Sequence, residues 1–503
     1  MATSVRQGFS GSEHEGLYSA SETRALDQWA IERAGIQGAV LMSRAAAAAL
    51  HQLSLRWPQP ALLQVLCGTG NNGGDGYLLA DQARRRNIPV RVLQVGDPAK
   101  IRGDALRARA QALANGVPVA PFTGNALEAE GVLVDALLGT GLGGDVREPF
   151  AAAIDALNSA GQPVVALDIP SGLCADTGRV LGTAVRADLT VTFIARKRGL
   201  FTLHGPDCRG QLEYADLAVP AEAVQSLVPA WRRLDLQRLL SAWPQRPAAS
   251  HKGDYGTVLV VGGDYGFPGA VALAAEAALR CGAGLVRVAT RPEHLPAIVA
   301  RTPEAMVSAV RSGQELQPLL AGADVIVLGP GLGRSSWSGQ LLQVALAAPQ
   351  PVVIDADALN LLAELPREAA LLRDNRVYTP HPGEAARLLG SSTAAVQGDR
   401  FAASGALQTR LGGVVLLKGN GSLIVDGQQQ LLADYGNPGM ASGGMGDVLS
   451  GVIGALLAQG LSPLTATALA ACAHGAAADM AASAGQRGLL ASDLMLPLRK
   501  LLG

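Results

Sequence analysis

Short apolar segments alternate along the chain with longer segments of helical periodicity. In the first half the apolar segments predict strands, which cover residues 61–66, 90–95, 131–136, 163–168 and 189–193. The intervening segments predict helices, which cover residues 19–55, 77–86 and 103–115. Alternation of this kind is typical of parallel βαβ units, in which both faces of the sheet are covered by helices.

A second series of apolar segments follows a proline-containing stretch at residues 219–250. It predicts strands over residues 257–261, 285–289, 325–328, 352–354, 376–379 and 414–417. The two series carry different loops and do not repeat each other. We therefore expect an α/β protein of two domains, residues 1–225 and residues 226–503.

Composition narrows the class of protein. The chain has 503 residues, of which 49% are hydrophobic and 17% charged, and its formal net charge is −1. Such a balance argues against a nucleic-acid binder or a membrane-surface protein. The five cysteines are widely spaced, and no targeting or membrane-spanning segment is evident, so we expect a cytoplasmic protein. We also expect a homo-oligomer.

The first glycine-rich loop follows the strand at residues 61–66. Its Gly68, Gly70 and Gly73 fit G-x-G-x-x-G, which brings backbone N–H groups to an anion at a helix N-terminus. A simple tight turn and a dinucleotide-dependent dehydrogenase are the alternatives. The dehydrogenase needs an acidic residue about 20 positions later, and Asp97 lies slightly too late.

Carboxylates end two further strands of this half. Asp135 begins the sequence DALLGTGLGGD, and Asp168 begins DIPSG. A lone aspartate here would more often cap a helix or form a turn. Because oxygen groups recur without cysteine or histidine, they favour a hard cation or proton transfer by a carboxylate.

The motifs NNGGDG, VDALLGTGL and DIPSGL together resemble the NAD(P)H-hydrate epimerase family over residues 18–220. The resemblance implies a Rossmann-like αβα sandwich that interconverts R and S hydrates. It implies a potassium ion held by Asn72, Asp135 and Ser171, and either Asp135 or Asp168 as acid/base. The implied substrate-binding residues are Asn71, Asn72, Gly73, Gly74, Asp75, Gly139, Thr140, Gly141, Leu142, Gly143, Gly144, Asp145 and Asp168.

A second glycine-rich segment at residues 436–451 opens an apolar helix. Its Gly446 supplies a backbone N–H where charge on a transferring phosphoryl group can be stabilised. The adjacent Asp447 can accept a proton from an attacking hydroxyl. The alternative is that the glycines only allow close helix packing.

Further loops of the second half also follow strands. Lys418 begins KGNGS, which suits a nucleotide phosphate although it is not a Walker loop. Residues 329–333 form GPGLG, and His381 begins HPGE, where it could instead cap a helix. We expect His381 in the site because three glycine-rich loops accompany it.

Taken in order, GPGLG, IDADALN, TPHPGE, KGNGS and NPGMASGGMGD resemble the NAD(P)H-hydrate dehydratases of the ribokinase-like superfamily over residues 230–500. The resemblance implies a ribokinase-like αβα domain, ADP or ATP as co-substrate, Mg²⁺ at the phosphates, and Asp447 as catalytic base. The implied nucleotide-binding residues are Lys418, Gly419, Asn420, Gly421, Ser422 and Gly446. The implied hydrate-binding residues are Ala270, Gly331, His381 and Asp447.

Two other hypotheses stay open at this point. A vitamin-precursor kinase of the same superfamily would account for Gly446 and Asp447, but it leaves the motifs of the first half unexplained. Alternatively, the first half could be a dinucleotide sensor without catalytic activity. ADP is favoured over ATP because fused chains of this type resemble the ADP-dependent enzymes.

Overall fold

The computed structural model describes residues 15–124, 127–365 and 373–503. Their contacts divide them into an N-terminal unit, Gly16–Trp231, and a C-terminal unit, Arg232–Gly503, to which Glu15 also belongs. The division falls a few residues after the boundary at 225/226 that the proline-containing stretch suggested. The assignment of one activity to each of residues 1–225 and 226–503 remains a proposal.

The N-terminal unit is an α/β sandwich. Its strands are β1 (Glu15–Tyr18), β2 (Leu63–Cys67), β3 (Val90–Gln94), β4 (Val119–Pro121), β5 (Val132–Ala136), β6 (Val164–Leu167), β7 (Leu189–Phe193), β8 (Arg196–Lys197) and β9 (Gln211–Ala215). Its helices are α1 (Ala20–Glu32), α2 (Gly38–Arg56), α3 (Asn71–Arg85), α4 (Gly103–Ala114), α5 (Phe150–Ser159), α6 (Gly205–Arg209) and α7 (Ala221–Ser226).

The main sheet of this unit has the order β4-β3-β2-β5-β6-β7-β9, and each neighbouring pair is parallel. The order reverses between β2 and β5, as in doubly wound dinucleotide-binding folds, whose ligands bind beyond the carboxyl ends of the strands at this point. Helices α1–α4 supply the apolar side chains of one face, and α5 covers the other. The Rossmann-like αβα sandwich is therefore confirmed.

The C-terminal unit is a second α/β sandwich. Its strands are β10 (Trp231–Arg233), β11 (Thr257–Val261), β12 (Leu285–Thr290), β13 (Met306–Ala309), β14 (Val325–Leu328), β15 (Val352–Ile354), β16 (Arg376–Tyr378), β17 (Val414–Leu417), β18 (Ser422–Val425) and β19 (Gln430–Ala433). Its helices are α8 (Leu236–Ser241), α9 (Pro268–Arg280), α10 (Leu295–Arg301), α11 (Gly313–Leu320), α12 (Ser336–Ala347), α13 (Ala356–Glu364), α14 (Pro382–Leu389), α15 (Thr393–Gly398), α16 (Arg400–Leu411), α17 (Met445–Ala458), α18 (Pro463–Ala481) and α19 (Met495–Leu502).

The sheet of the C-terminal unit runs β13-β12-β11-β14-β15-β16-β17-β18-β19-β10. The pairs from β13 to β17 are parallel, whereas β18 is antiparallel to both β17 and β19. Helices α9, α17, α18 and α19 pack together on one apolar core, which is rich in alanine and valine. Here the order reverses between β11 and β14, and in open α/β sheets ligands bind beyond the carboxyl ends of the strands at such a point.

Two predicted helices differ from the structure, and one hairpin was missed. The single helix expected over residues 19–55 is two helices, because the chain turns at Gly35, whose φ of +69° ends the first of them. The helix expected over residues 77–86 begins earlier, at Asn71, since the glycines of NNGGDG form its first turns. The β18–β19 hairpin was not predicted.

Within the described ranges, no helix combines the length and the apolar character needed to cross a lipid bilayer. All five cysteines fall inside those ranges, and each is an unpaired thiol.

Candidate active sites

A cavity of about 600 Å³ opens in the N-terminal unit at the carboxyl ends of β2, β5 and β6. All three loops singled out from the sequence contribute to it. The expected residues that line it are Asn71, Asn72, Asp75, Gly139, Thr140, Gly141, Leu142, Gly143 and Asp168. Gly73, Gly74, Gly144, Asp145, Asp135 and Ser171 are not on its surface.

The loop after β2 comes very close to the loop after β5. A Cβ atom on Gly68 would lie 1.9 Å from the carbonyl oxygen of Leu137, and one on Gly73 would lie 2.2 Å from that of Gly68. Only glycine fits at these two positions. The N-cap of α3 is Gly70, which has no side chain to cap the helix. The first N–H groups of α3 are therefore available to an anionic ligand in the cavity.

Asp135 lies beneath the cavity surface and is fully buried. Its carboxylate accepts hydrogen bonds from the Ser171 hydroxyl (2.6 Å), the Ser171 N–H (2.8 Å) and the Leu137 N–H (3.1 Å). Burial raises its pKa to about 6, against the lowering effect of these bonds. In this position Asp135 fixes the loop that carries Ser171.

The side-chain oxygen of Asn72 favours a bound cation in this region. The side-chain nitrogen of Asn72 donates to the carbonyl of Leu138 (3.0 Å), but its buried Oδ1 has no hydrogen-bond partner among the described residues. The Ser171 hydroxyl contacts the same Leu138 carbonyl (3.1 Å). An unsatisfied buried oxygen beside hydroxyl and carbonyl oxygens has the chemistry of a site for a hard monovalent cation.

Asp168 is held in a strained conformation at the cavity wall. Its φ is +66°, and two other non-glycine residues of the wall, Ile194 (+62°) and Leu217 (+54°), are also left-handed. The Asp168 carboxylate forms a buried ion pair with Lys197 and accepts from the N–H of Phe193 (3.1 Å). Strain of this kind persists where the surrounding structure enforces it, often at functional sites.

Lys197 and Asp27 are wall residues that the sequence motifs did not reveal. Burial raises the pKa of Asp27 to about 6; the charge of Asp168 raises it further, while Lys197 lowers it. Burial, and then the charges of Asp168 and Asp27, hold the pKa of Asp75 well above its usual range. Neither Lys197 nor Asp27 belongs to a glycine-rich loop, so no local signal could have selected them.

In the C-terminal unit the loops after β11 and β14 meet at the point where the strand order reverses. Gly331 of GPGLG packs against the start of α9: a Cβ there would lie 3.1 Å from the Cβ of Ala270 and 2.7 Å from that of Phe267. The structure thus brings together Ala270 and Gly331, two residues expected to contact the hydrate. Half-exposed Phe267 lies beside them.

The ammonium group of Lys418 forms an ion pair with Asp355 in the C-terminal unit. This group donates to Asp355 Oδ1 (2.7 Å), which also accepts from the Thr379 hydroxyl (2.8 Å). The other oxygen of Asp355 accepts from the Ser450 hydroxyl (2.8 Å). Burial lowers the pKa of Lys418, but Asp355 and Glu384 outweigh burial and raise it above its ordinary value. Lys418 therefore stays charged.

Asp447 lies in the first turn of α17, which starts after Gly444 in the left-handed conformation (φ +89°). A Cβ on Gly446 would lie 3.3 Å from the Lys418 ammonium nitrogen, so the start of this helix directly faces that cation. Burial, followed by the charge of Asp355, raises the pKa of Asp447 to about 7, although Lys418 lowers it. A group with this pKa can act as a base near neutral pH.

His381 is the N-cap of α14. Its Nδ1 accepts from the N–H groups of Gly383 (3.0 Å) and Glu384 (3.4 Å), while Glu384 accepts from the His381 N–H (2.8 Å). Burial and Lys418 lower the pKa of His381, and burial raises that of Glu384 to about 7. The capping role that the sequence left as an alternative is therefore real, and Nε2 of His381 lies 3.4 Å from Oε1 of the same Glu384.

The loop Gly419–Ser422 joins β17 to β18 and lies over a buried arginine, Arg400. The Arg400 guanidinium donates to the carbonyls of Gly421 (3.0 Å), Leu417 (3.4 Å) and Lys418 (3.4 Å). No carboxylate among the described residues pairs with Arg400. A Cβ on Gly419 would lie 2.3 Å from this guanidinium, which explains the glycine. Sequence motifs gave no indication of Arg400 or of its contact with this loop.

The two units define a class: an α/β protein with two sandwiches, each with glycine-rich loops at the carboxyl ends of its parallel strands. Residues 38–199 match the family model described as YjeF-related protein N-terminus, and residues 258–499 match that described as NAD(P)H-hydrate dehydratase. A ribokinase-like superfamily protein of Enterococcus faecalis is similar in structure, with 31% identity and a TM-score of 0.50; the match covers 54% of this chain and 95% of that one.

Longer matches come from two curated proteins. A bifunctional NAD(P)H-hydrate repair enzyme of Coxiella burnetii is 48% identical over 403 residues, covering 80% of this chain and 82% of that protein. One of Escherichia coli is 44% identical over 493 residues, covering 96% and 93%. The chain belongs to the family of bifunctional NAD(P)H-hydrate repair enzymes.

Proposed function

We propose that the chain repairs hydrated NADH and NADPH through an epimerase site in the N-terminal unit and a nucleotide-dependent dehydratase site in the C-terminal unit. The position of Asp447 carries this proposal. It lies beside the Lys418 ammonium, at the N-terminus of a buried helix and with a pKa of about 7. Family membership supports both activities, and the substrates are the two hydrates with ADP or ATP.

In the dehydratase step, Asp447 removes the proton of the substrate hydroxyl as its oxygen attacks the terminal phosphate of ADP. AMP leaves, and the hydroxyl has become a phosphate ester. Loss of the proton on the neighbouring ring carbon then expels inorganic phosphate and restores the dihydronicotinamide. Lys418 and the N–H groups at the start of α17 stabilise charge on the phosphoryl group in transit.

Residues 419–422 and Gly446 would hold the nucleotide, while Ala270, Gly331 and His381 would contact the hydrate. The buried Glu384 carboxylate fits as a protein ligand for Mg²⁺, which takes few carboxylates and several phosphate oxygens in sites of this kind. Bound there, the ion would neutralise the nucleotide phosphates. ADP is the preferred nucleotide in this proposal.

In the epimerase step, the N–H groups at the start of α3 and the loop at residues 139–145 would hold the dinucleotide. Asn72, Asp135 and Ser171 would hold K⁺. The strongest support for this site is Asn72 Oδ1, which has no hydrogen-bond partner among the described residues. Such an ion would fix the two loops beneath the ring. Asp168 lines the cavity and Asp135 does not, so Asp168 is the better candidate for proton transfer.

A cytoplasmic location and a homo-oligomeric state complete the proposal. The five unpaired cysteines support a reducing compartment. The oligomeric state stays a prediction.

The fate of the phosphoryl group separates this proposal from a vitamin-precursor kinase. With S-NADHX and ADP, we expect one inorganic phosphate to be released for each NADH formed. A phosphate assay and the absorbance of NADH measure the two products. Substituting Asp447→Asn should lower kcat by about 10²–10⁴-fold, because the base is lost. The wild-type kcat should increase as pH rises through about 7, where Asp447 loses its proton. A stable phosphorylated product would favour the kinase instead.

A further inference from the structure

Epimerisation at a ring carbon needs proton transfer on both faces of the ring. On one face the C–O bond breaks, the hydroxyl takes up a proton and leaves as water, and the ring nitrogen lone pair forms a double bond to the carbon. On the other face water adds, that double bond returns to a lone pair, and the adding water loses a proton. One carboxyl group fixed at one wall can serve only one of these faces.

We propose that Asp27 is the second catalytic residue of the epimerase cavity and exchanges the proton on the ring face opposite Asp168. This inference rests on the epimerase function proposed above. Asp27 and Asp168 enter the same cavity from different elements, Asp27 from α1 and Asp168 from the end of β6. The cavity therefore contains two carboxylates that come from different elements of the fold.

The two carboxylates are held in different ways. Asp168 is fixed by Lys197 and by the N–H of Phe193, so its charge is neutralised and its direction is set. Asp27 has no hydrogen bond to any described residue of the chain, and its carboxyl group is left for a ligand. Pairs of acidic groups whose surroundings differ in this way commonly divide the roles of acid and base.

Asp75 is the competing carboxyl group, and its surroundings suit another role. Its pKa is held well above the usual range, first by burial and then by the charges of Asp168 and Asp27, which favours its protonated form. Burial raises the pKa of Asp27 only to about 6, where a carboxyl group can both give and take a proton near neutral pH. The charged or titratable groups that share the cavity with Asp27 are Arg24 on α1, Asp75 on α3, Asp104 on α4, Asp168 after β6 and Lys197 on β8.

The test is epimer interconversion by the full chain without nucleotide, so that dehydration does not occur. Pure R-NADHX is supplied, and formation of the S epimer is followed by chromatography. Asp27→Asn should lower kcat by about 10²–10⁴-fold and leave KM unchanged, since a proton and not a binding contact is lost. The wild-type kcat should fall as pH rises above about 6, because Asp27 then loses its proton, and Asp27→Asn should abolish this decline.

Two variants serve as controls. Glu32→Gln makes the same chemical change at an exposed position of the same helix and should retain wild-type kinetics. Asp27→Glu keeps the carboxyl group and should recover part of the lost kcat. Asp27→Asn should fold normally at neutral pH, because a carboxylate whose pKa is raised by burial destabilises the folded state there. Its melting temperature should therefore equal or exceed that of the wild type.

Asp27→Asn with the wild-type kcat, or with a raised KM alone, would overturn the role of Asp27 and leave the epimerase function intact. Wild-type chain that does not interconvert the epimers would remove the proposed function, and the role of Asp27 with it.

Discussion

At the scale of single residues, the side chains that matter most are those left without a partner. Asn72 Oδ1 and the Asp27 carboxylate belong to residues that line the cavity of the N-terminal unit, and neither has a hydrogen bond to a described residue. In contrast, the carboxylates of Asp355 and Asp135 accept several hydrogen bonds each and hold the donating side chains in place. A buried unsatisfied oxygen costs folding free energy unless a ligand restores the missing interaction.

Asn72 provides a direct test of the potassium proposal. K⁺ should raise the melting temperature of the wild-type chain relative to tetramethylammonium at equal ionic strength, because a bound ion stabilises only the folded state. Asn72→Leu should remove this increase, whereas Asn71→Leu, the same change at the exposed neighbour, should keep it. Thermal unfolding measures the melting temperature of each variant with and without K⁺. An equal increase in both variants would contradict the proposal.

Sequence motifs predicted only part of each candidate site. Asp168, Lys418 and Asp447 stand in or next to glycine-rich loops, so their local context marked them. Lys197 and Asp27 have no such context, since each reaches the cavity from an element whose sequence is ordinary for a strand or a helix. Only the folded chain brings these residues to Asp168.

At the scale of elements, the strands were predictable and the helix starts were not. Buried parallel strands are continuous apolar runs, and β7, β11, β14, β15 and β17 have the bounds that the sequence suggested. Helix α3 begins within NNGGDG, where glycine usually signals a loop. The close approach of Gly73 to the Gly68 carbonyl oxygen overrides that propensity, because it requires a glycine in the first turn of the helix.

Arg400 shows how one element positions another. Its guanidinium links three carbonyls at and beside the loop 419–422, and burial lowers its pKa to about 10. Arg400→Met should raise the KM for ADP, because these carbonyls lose their donors and the loop loses its shape, while the KM for S-NADHX should change little. Steady-state kinetics of NADH formation would measure both.

A matched control is Arg376→Met. Arg376 is equally buried, and burial lowers its pKa to about 10 as well, but it donates to the carbonyls of Leu346, Ala348 and Gln350, far in sequence from the nucleotide loop. Both variants should lose stability, by roughly 1–3 kcal/mol for each carbonyl left unsatisfied. If Arg376→Met raised the KM for ADP as much as Arg400→Met, the positioning role of Arg400 would be wrong.

At the scale of the whole molecule, the proposed function divides one repair task between the two units. In this proposal the dehydratase site accepts one epimer, and the epimerase site supplies that epimer from the other. Each unit has its own apolar core and its own glycine-rich loops at the point where its strand order reverses. The substrate identity came from the family, because no single residue of either site specifies a hydrated nicotinamide.

The most direct test incubates the full chain with an equal mixture of R- and S-NADHX, ADP and Mg²⁺, for a time in which spontaneous epimerisation is negligible. Recovery of NADH is followed by its near-ultraviolet absorbance. The account predicts that wild-type protein converts both epimers completely, that Asp168→Asn converts only the S half, and that Asp447→Asn converts neither. Recovery limited to the S half in the wild type, or complete recovery by Asp168→Asn, would contradict it.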